Sequence, residues 1–139
     1  MFDNTLQKTH EWLKAVADEL ALPHQRAAYA ALRATLHALR DCLSVDETAQ
    51  LGAQLPTLIR GVYYEGWDPR PLPRRGRDRE AFLGTIAREA ADHPELPDAE
   101  TVARGVLAVL TDKISAGEIA QIVGQLPRSV RDIWTDGVY

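Results

Sequence analysis

The sequence SVDETAQLGAQLPTLIR at residues 44–60 is repeated, with changes, as SAGEIAQIVGQLPRSVR at residues 115–131. When the chain is aligned with itself at an offset of 71 positions, residues 30–66 match residues 101–137 without a gap. Thirteen of these 37 aligned pairs are identical: 33/104, 36/107, 39/110, 41/112, 44/115, 47/118, 49/120, 50/121, 54/125, 55/126, 56/127, 60/131 and 66/137. The alignment predicts two copies of one structural unit.

The match extends toward the start of the chain when the offset falls to 70, which pairs Trp12 with Phe82 and Val16 with Ile86. Apolar spacing and cap signals predict four helical segments in each copy, at about 3–21, 24–43, 45–55 and 57–65, then 78–91, 98–114, 116–126 and 128–136. No run alternates with the period of a strand. The sequence therefore predicts an all-α helical bundle built from two tandem pseudo-symmetric repeats.

The repeated polar residues have structural explanations. Ser44 with Glu47, and Ser115 with Glu118, have the spacing of a capping box, in which both side chains bind N–H groups of the first helical turn. The identical pairs 41/112 and 60/131 place an aspartate and an arginine in each copy. We expect each aspartate to pair with its arginine between helices, and the alternative is that both arginines bind anions.

The chain length of 139 residues and an ordinary composition, 45% apolar and 26% charged, are typical of one compact domain. We predict a single domain over 1–139, with repeat one at about 3–67, a connecting loop at about 68–77 and repeat two at about 78–139. A unit of this length buries little core by itself, so the two repeats are expected to share one core.

The overall charge and the cysteine content limit the classes of function. A net charge of −4 disfavours a general nucleic-acid binder, which needs a basic face to neutralise phosphates. Cys42 is the only cysteine, so an internal disulfide is excluded and a reducing compartment is favoured. The chain lacks a signal-peptide pattern and a long apolar run, so we expect a cytoplasmic protein that does not enter the membrane.

Catalytic, metal and cofactor motifs are absent from the sequence. The four histidines, His10, His24, His37 and His93, lack the spacing of a metal site and are expected at helix surfaces or helix ends. Cys42 ends an apolar stripe, where an inert thiol is usual. No glycine pattern predicts a phosphate-binding loop. We therefore expect no catalytic residue, no metal and no cofactor.

The largest difference between the copies is the segment VYYEGWDPRPLPRRGRDRE, which follows the first copy only. Residues 70–79 contain five arginines and one aspartate, a local charge of +4, so the rest of the chain carries −8. Aromatic and arginine side chains are enriched in binding hot spots. The candidate partner-binding residues are Tyr64, Trp67, Arg70, Arg74, Arg75, Arg77 and Arg79. In the alternative interpretation, Tyr63 packs in the core like Trp134 and the loop is only a solvated linker.

A family resemblance rests on the pattern formed by Glu47, Gln54, Leu55, Pro56, Arg60, Tyr63, Tyr64, Gly66 and Trp67. Over about residues 9–136 the chain resembles the bacterial proteins grouped as domain of unknown function 2267. The resemblance implies a bacterial, cytoplasmic and helical protein. No activity is assigned to this family, so the resemblance implies no catalytic residues.

Three functions follow from these features, in order of preference. The first is a non-catalytic interaction or regulatory module that docks a protein partner through the aromatic and Arg-rich loop. The second is a small-ligand binder or an enzyme that uses a cleft between the halves. The third is a nucleic-acid binder that uses the Arg-rich loop alone.

Overall fold

A computed structural model describes residues 1–69 and 78–135, and within them the chain forms eight α-helices and no strand. The helices are α1 (Asp3–Leu20), α2 (Gln25–Arg40), α3 (Val45–Ala53), α4 (Thr57–Tyr64), α5 (Arg79–Glu89), α6 (Ala99–Lys113), α7 (Ala116–Gln125) and α8 (Arg128–Thr135). The all-α prediction is confirmed. Each described helix lies where the sequence predicts one, with ends that differ by three residues at most. None of these eight helices has both the length and the apolar character needed to cross a membrane.

The first half of the fold (α1–α4) and the second half (α5–α8) interlock. Helix α2 packs against α5, and α6 packs against α1, so the second helix of each half contacts the first helix of the other. Helix α2 also contacts α6, and α3 contacts α7. Within each half the last helix packs on the first two, α4 on α1 and α2, and α8 on α5 and α6.

One hydrophobic cluster runs through both halves. Trp12 and Phe82, which the sequence pairs at an offset of 70, are both buried in it, as are Val16 and Ile86. The centre of the cluster is formed by the apolar stripes of α2 and α6, because leucine and valine recur there at intervals of three and four residues. The described residues of both halves thus contribute to the same core.

The predicted caps of α3 and α7 are present. Ser44 Oγ accepts a hydrogen bond from the Glu47 N–H at 3.2 Å, and Glu47 Oε1 accepts one from the Ser44 N–H at 2.9 Å. These two bonds form a complete capping box. Ser115 Oγ accepts from the Glu118 N–H at 3.4 Å, which is a longer bond of the same kind.

Removing the α3 cap is expected to lower the free energy of unfolding by about 1 kcal/mol. In Ser44→Ala, the Glu47 N–H loses its acceptor at the end of the helix. Ser115→Ala should cost less, because the bond that it removes is longer. Urea denaturation of both variants measures the difference, and an unchanged midpoint in Ser44→Ala would exclude the capping role.

The repeated arginines make different contacts from those we predicted. Arg60 donates from Nε to the Gly52 carbonyl and from Nη2 to the Leu55 carbonyl, both at 2.9 Å. Arg131 donates from Nη2 to the carbonyls of Gly124 and Leu126, at 3.3 and 3.2 Å. The prediction of inter-helix aspartate–arginine pairs is wrong, because each guanidinium instead binds carbonyls at or just after the end of the preceding helix.

Candidate functional site

Two of the predicted partner-binding residues, Tyr64 and Trp67, form an aromatic stack at the end of α4. Their ring centroids lie 5.5 Å apart with planes inclined by 51°. Tyr63 meets Tyr64 edge-on at 5.0 Å. Tyr64 and Trp67 are half-buried, so part of each ring faces solvent. The stack therefore holds the chain in position just before the Arg-rich segment begins.

Tyr63 is part of the core rather than of a surface. It is fully buried and donates its hydroxyl to the Thr48 carbonyl at 2.9 Å. Its counterpart Trp134 is 5% exposed and donates its indole N–H to Thr111 Oγ1 at 2.8 Å. The prediction that Tyr63 packs like Trp134 is confirmed, and both positions combine a buried ring with a satisfied donor.

The ring of Tyr64 lies against the backbone of α3. A Cβ atom placed on Gly52 would lie 2.6 Å from the Tyr64 hydroxyl oxygen and 3.0 Å from two of its ring carbons. Position 52 must therefore lack a side chain for the ring to fit. Tyr64 fills the space beside α3 and α4, which gives this candidate binding residue a packing role as well.

Arg79 is the predicted binding arginine that the structure describes, and it is already engaged. Its guanidinium forms an ion pair with Glu100, and its backbone N–H donates to Ser129 Oγ at 3.1 Å. These contacts join the start of α5 to α6 and α8. The other predicted arginines lie outside the described residues: Arg70, Arg74, Arg75 and Arg77.

A group of charged side chains that the sequence analysis did not predict joins α2, α4 and α5. We call Arg33, His37, Glu65 and Glu89 the polar cluster. Arg33 bridges both carboxylates, with Nη2 at 2.6 Å from Glu65 Oε1 and Nη1 at 2.7 Å from Glu89 Oε1. The hydrogen bond from Arg33 lowers the pKa of Glu65, which keeps this carboxylate ionised. The polar cluster therefore ties the start of the loop to two helices.

His37 is the member of the polar cluster that is most deeply buried. It lies in the last turn of α2, at a helix end as predicted, but it is only 2% exposed, so its predicted place at a helix surface is wrong. Its Nε2 donates to the Val62 carbonyl at 2.7 Å, while Nδ1 lies 2.9 Å from both oxygens of Glu89. Both ring nitrogens of His37 therefore contact oxygen atoms, one from α4 and the others from α5.

Arg40 extends these contacts along the same face of α2. It is 6% exposed and its Nη1 donates to the carbonyls of Tyr63 and Glu65, at 2.7 and 2.6 Å. A cation at the carboxyl end of α4 is stabilised by the helix dipole and satisfies carbonyls that the helix leaves open. Arg33, His37 and Arg40 are spaced at intervals of four and three residues, which is the sequence signal that predicts their common face.

The contacts of the polar cluster favour a role in stabilising the fold over a role in catalysis or metal binding. Its carboxylates and cations bind one another or the end of α4, so they are already occupied. Within residues 1–69 and 78–135, no three histidine, cysteine or acidic side chains are grouped so as to hold a metal ion. The described contacts of the cluster fix the position of residues 62–65.

A pocket of about 610 Å³ lies between α6, α7 and α8, and we call it the α7–α8 pocket. Its apolar wall includes Ile119, Ala120 and Val123. Its polar lining side chains are Thr111, Arg131 and Thr135. The volume is within the range of about 300–1,000 Å³ that is typical of small-molecule sites. None of the predicted partner-binding residues lines this pocket, but Arg131 does, and the sequence left open that it binds an anion.

The comparison with protein families gives one match. A family model described as an uncharacterized conserved protein (DUF2267) matches residues 9–133. The chain belongs to this family. The predicted resemblance is thus confirmed, and the matched range includes the polar cluster and all lining residues of the α7–α8 pocket except Thr135. The search among curated proteins gave no match.

Proposed function

We propose that this member of the DUF2267 family consists of two copies of one four-helix unit, and that its function resides where the copies differ. The identical pairs of the internal alignment support the duplication, and so does the reciprocal packing of α2 on α5 and α6 on α1. Features that serve packing alone would be kept alike in both copies. The differences are therefore the places to look for binding.

The first such difference is the aromatic and Arg-rich segment, and we propose that it docks an acidic protein surface without catalysis. The observation that carries this proposal is the half-buried stack of Tyr64 and Trp67 at the root of a segment with a charge of +4. Arg40 binds the carbonyl of Glu65, two residues before Trp67. A fixed aromatic anchor beside a run of arginines is the composition of a binding hot spot.

The charge of the segment suits an acidic partner because the remainder of the chain carries −8 and would repel it. The interaction is therefore expected to depend on the arginines and to weaken as salt screens exposed charges. Folding is not expected to depend on Arg74, Arg75 and Arg77, because the sequence predicts a connecting loop there and loop residues generally have few buried contacts to lose.

The test compares the full chain with R74S/R75S/R77S. The variant is expected to keep the thermal midpoint of the wild type and to lose the partner that the wild type captures from its host lysate. That partner is then purified and titrated at several salt concentrations. A matched control changes three exposed cations elsewhere to serine, Lys8, Arg26 and Arg128, and alters the net charge equally.

Three results distinguish the candidate functions. Loss of binding in R74S/R75S/R77S but not in the control supports docking through the segment. Equal binding by both variants at every salt concentration would contradict it and leave the segment as a linker. Capture of nucleic acid, with an affinity that falls steeply with salt, would instead favour the third predicted function.

A further inference from the structure

The second difference between the halves concerns the α7–α8 pocket. The internal alignment pairs Tyr64 with Thr135 and Gly52 with Val123. In the first half the Tyr64 ring packs against Gly52 and fills the space between α3 and α4. In the second half Val123 and Thr135 line an open pocket beside the matching helices α7 and α8. Thr111, which also lines the pocket, aligns with the larger Arg40, so two smaller side chains, Thr135 and Thr111, leave space in the second half.

The first half also shows what kind of group suits this place. There it is an aromatic ring with a polar substituent, contributed by the chain itself. A cavity of about 150 Å³ can hold a single benzene ring. The α7–α8 pocket, at about 610 Å³, has room for a larger ring system together with its substituents.

The polar side chains of the pocket differ in their capacity to bind a ligand. Thr111 donates its hydroxyl to the Leu107 carbonyl, and Thr135 donates to the Arg131 carbonyl. Both hydroxyl hydrogens are therefore committed within the protein. Among the described residues, Arg131 Nε is buried without a hydrogen-bond partner, whereas the matching Nε of Arg60 donates to the Gly52 carbonyl. Nη2 of Arg131 binds two carbonyls and Nε is covered by protein atoms, so what Arg131 brings to the pocket is its positive charge.

We propose that the α7–α8 pocket binds a small aromatic carboxylate. The ring system lies against Ile119 and Val123, and the carboxylate is bound by Arg131, whose guanidinium prefers a planar anionic acceptor. This inference rests on the proposed duplication. It does not depend on the docking of a partner at the Arg-rich segment.

The direct test is calorimetric titration of the full chain with 2-naphthoate. We expect saturable binding of one molecule per chain. The neutral 2-naphthamide is expected to bind about tenfold more weakly or worse, since it lacks the charge that Arg131 recognises. Octanoate carries the same carboxylate on an aliphatic chain, so comparing its affinity with that of 2-naphthoate tests whether the pocket requires an aromatic ring.

A pocket-filling variant copies the first half into the second. In V123G/T135Y, the glycine makes room for the tyrosine ring, as Gly52 does for Tyr64. The variant is expected to retain its helical circular dichroism and to lose binding of 2-naphthoate. Replacing Thr135 alone is a poorer test, because the side chain of Val123 stands in the path of the ring.

Arg131→Gln has a matched control in Arg60→Gln. Both arginines bind two carbonyls at the end of the preceding helix, so both variants lose similar structural contacts. Only the first is expected to weaken the binding of 2-naphthoate, by about tenfold or more. R74S/R75S/R77S is expected to bind it like the wild type, which separates this proposal from docking at the Arg-rich segment.

The proposal is overturned if the wild type shows no saturable binding, or if V123G/T135Y binds 2-naphthoate as tightly as the wild type. If octanoate binds more tightly than 2-naphthoate, the pocket prefers ligands with an aliphatic acyl chain, and the proposal of an aromatic ligand is wrong. If a chain that ends at Thr135 binds while the full chain does not, residues 136–139 are the occupant and the ligand site is excluded.

Discussion

Tyr63→Ala is expected to lower the free energy of unfolding by about 4 kcal/mol, the largest effect of a single substitution that we predict. The side chain extends from α4, is fully buried, and contacts α3 and the neighbouring ring of Tyr64. Its removal leaves a cavity of aromatic size and deprives the Thr48 carbonyl of its donor. Urea denaturation measures the loss, and a decrease below about 1 kcal/mol would contradict the assigned packing.

Tyr63→Phe separates the ring from the hydroxyl. This variant keeps the packing and loses only the bond to Thr48, so we expect a cost of about 1–2 kcal/mol. Burial raises the pKa of Tyr63 far above its usual value, so the folded protein keeps the phenol protonated. Above pH of about 10 the unfolded tyrosine ionises and the folded one does not, so stability falls as pH rises. The fall should be smaller in Tyr63→Phe.

Arg40→Ala is expected to destabilise the fold by about 3 kcal/mol, because two carbonyls at the end of α4 lose their charged donor. The same substitution should release the root of the Arg-rich segment, since Arg40 binds the carbonyl of Glu65. Faster hydrogen exchange of the amides at residues 64–67 is the expected sign of this release.

Arg40→Lys is the control for geometry. Lysine keeps the charge but presents it at a single point, so it is expected to recover only part of the stability. If Arg40→Ala leaves both the unfolding midpoint and the exchange of residues 64–67 unchanged, the anchoring role of Arg40 is wrong.

The helices could be predicted from the sequence because their signals are local. The capping serines, the prolines after residues 55 and 126, and the apolar stripes of α2 and α6 each depend on neighbours within one or two turns. In the internal alignment each of these signals occurs in both copies, so each helix was predicted twice. The helix ends therefore agree to within three residues over the described part of the chain.

The polar cluster could not be predicted because its contacts join distant parts of the chain. Arg33 meets Glu65 and Glu89 only once α2 packs against both α4 and α5. The burial of His37 has the same origin. Arg60 illustrates a different error: a repeated acid and base suggested an ion pair, whereas the guanidinium binds the carbonyls of Gly52 and Leu55.

The candidate sites were predicted in part. Tyr64 and Trp67 do lie together at the surface. Arg79 forms an ion pair with Glu100. The remaining predicted arginines lie outside the described residues. The α7–α8 pocket left one signal in the sequence, the replacement of Tyr64 by Thr135 in the aligned copies. That signal acquires meaning only when the packing of Tyr64 against Gly52 is known.

The central claim is that the protein consists of two copies of one unit, and that its binding sites lie where the two copies differ. A crystal structure of the full chain with 2-naphthoate tests it directly, after α5–α8 is superposed on α1–α4. We predict that matching helices coincide, and that the bound ring occupies the place of the Tyr64 ring with its carboxylate at Arg131. Halves that do not superpose, or a ligand bound away from Val123 and Arg131, would contradict the account.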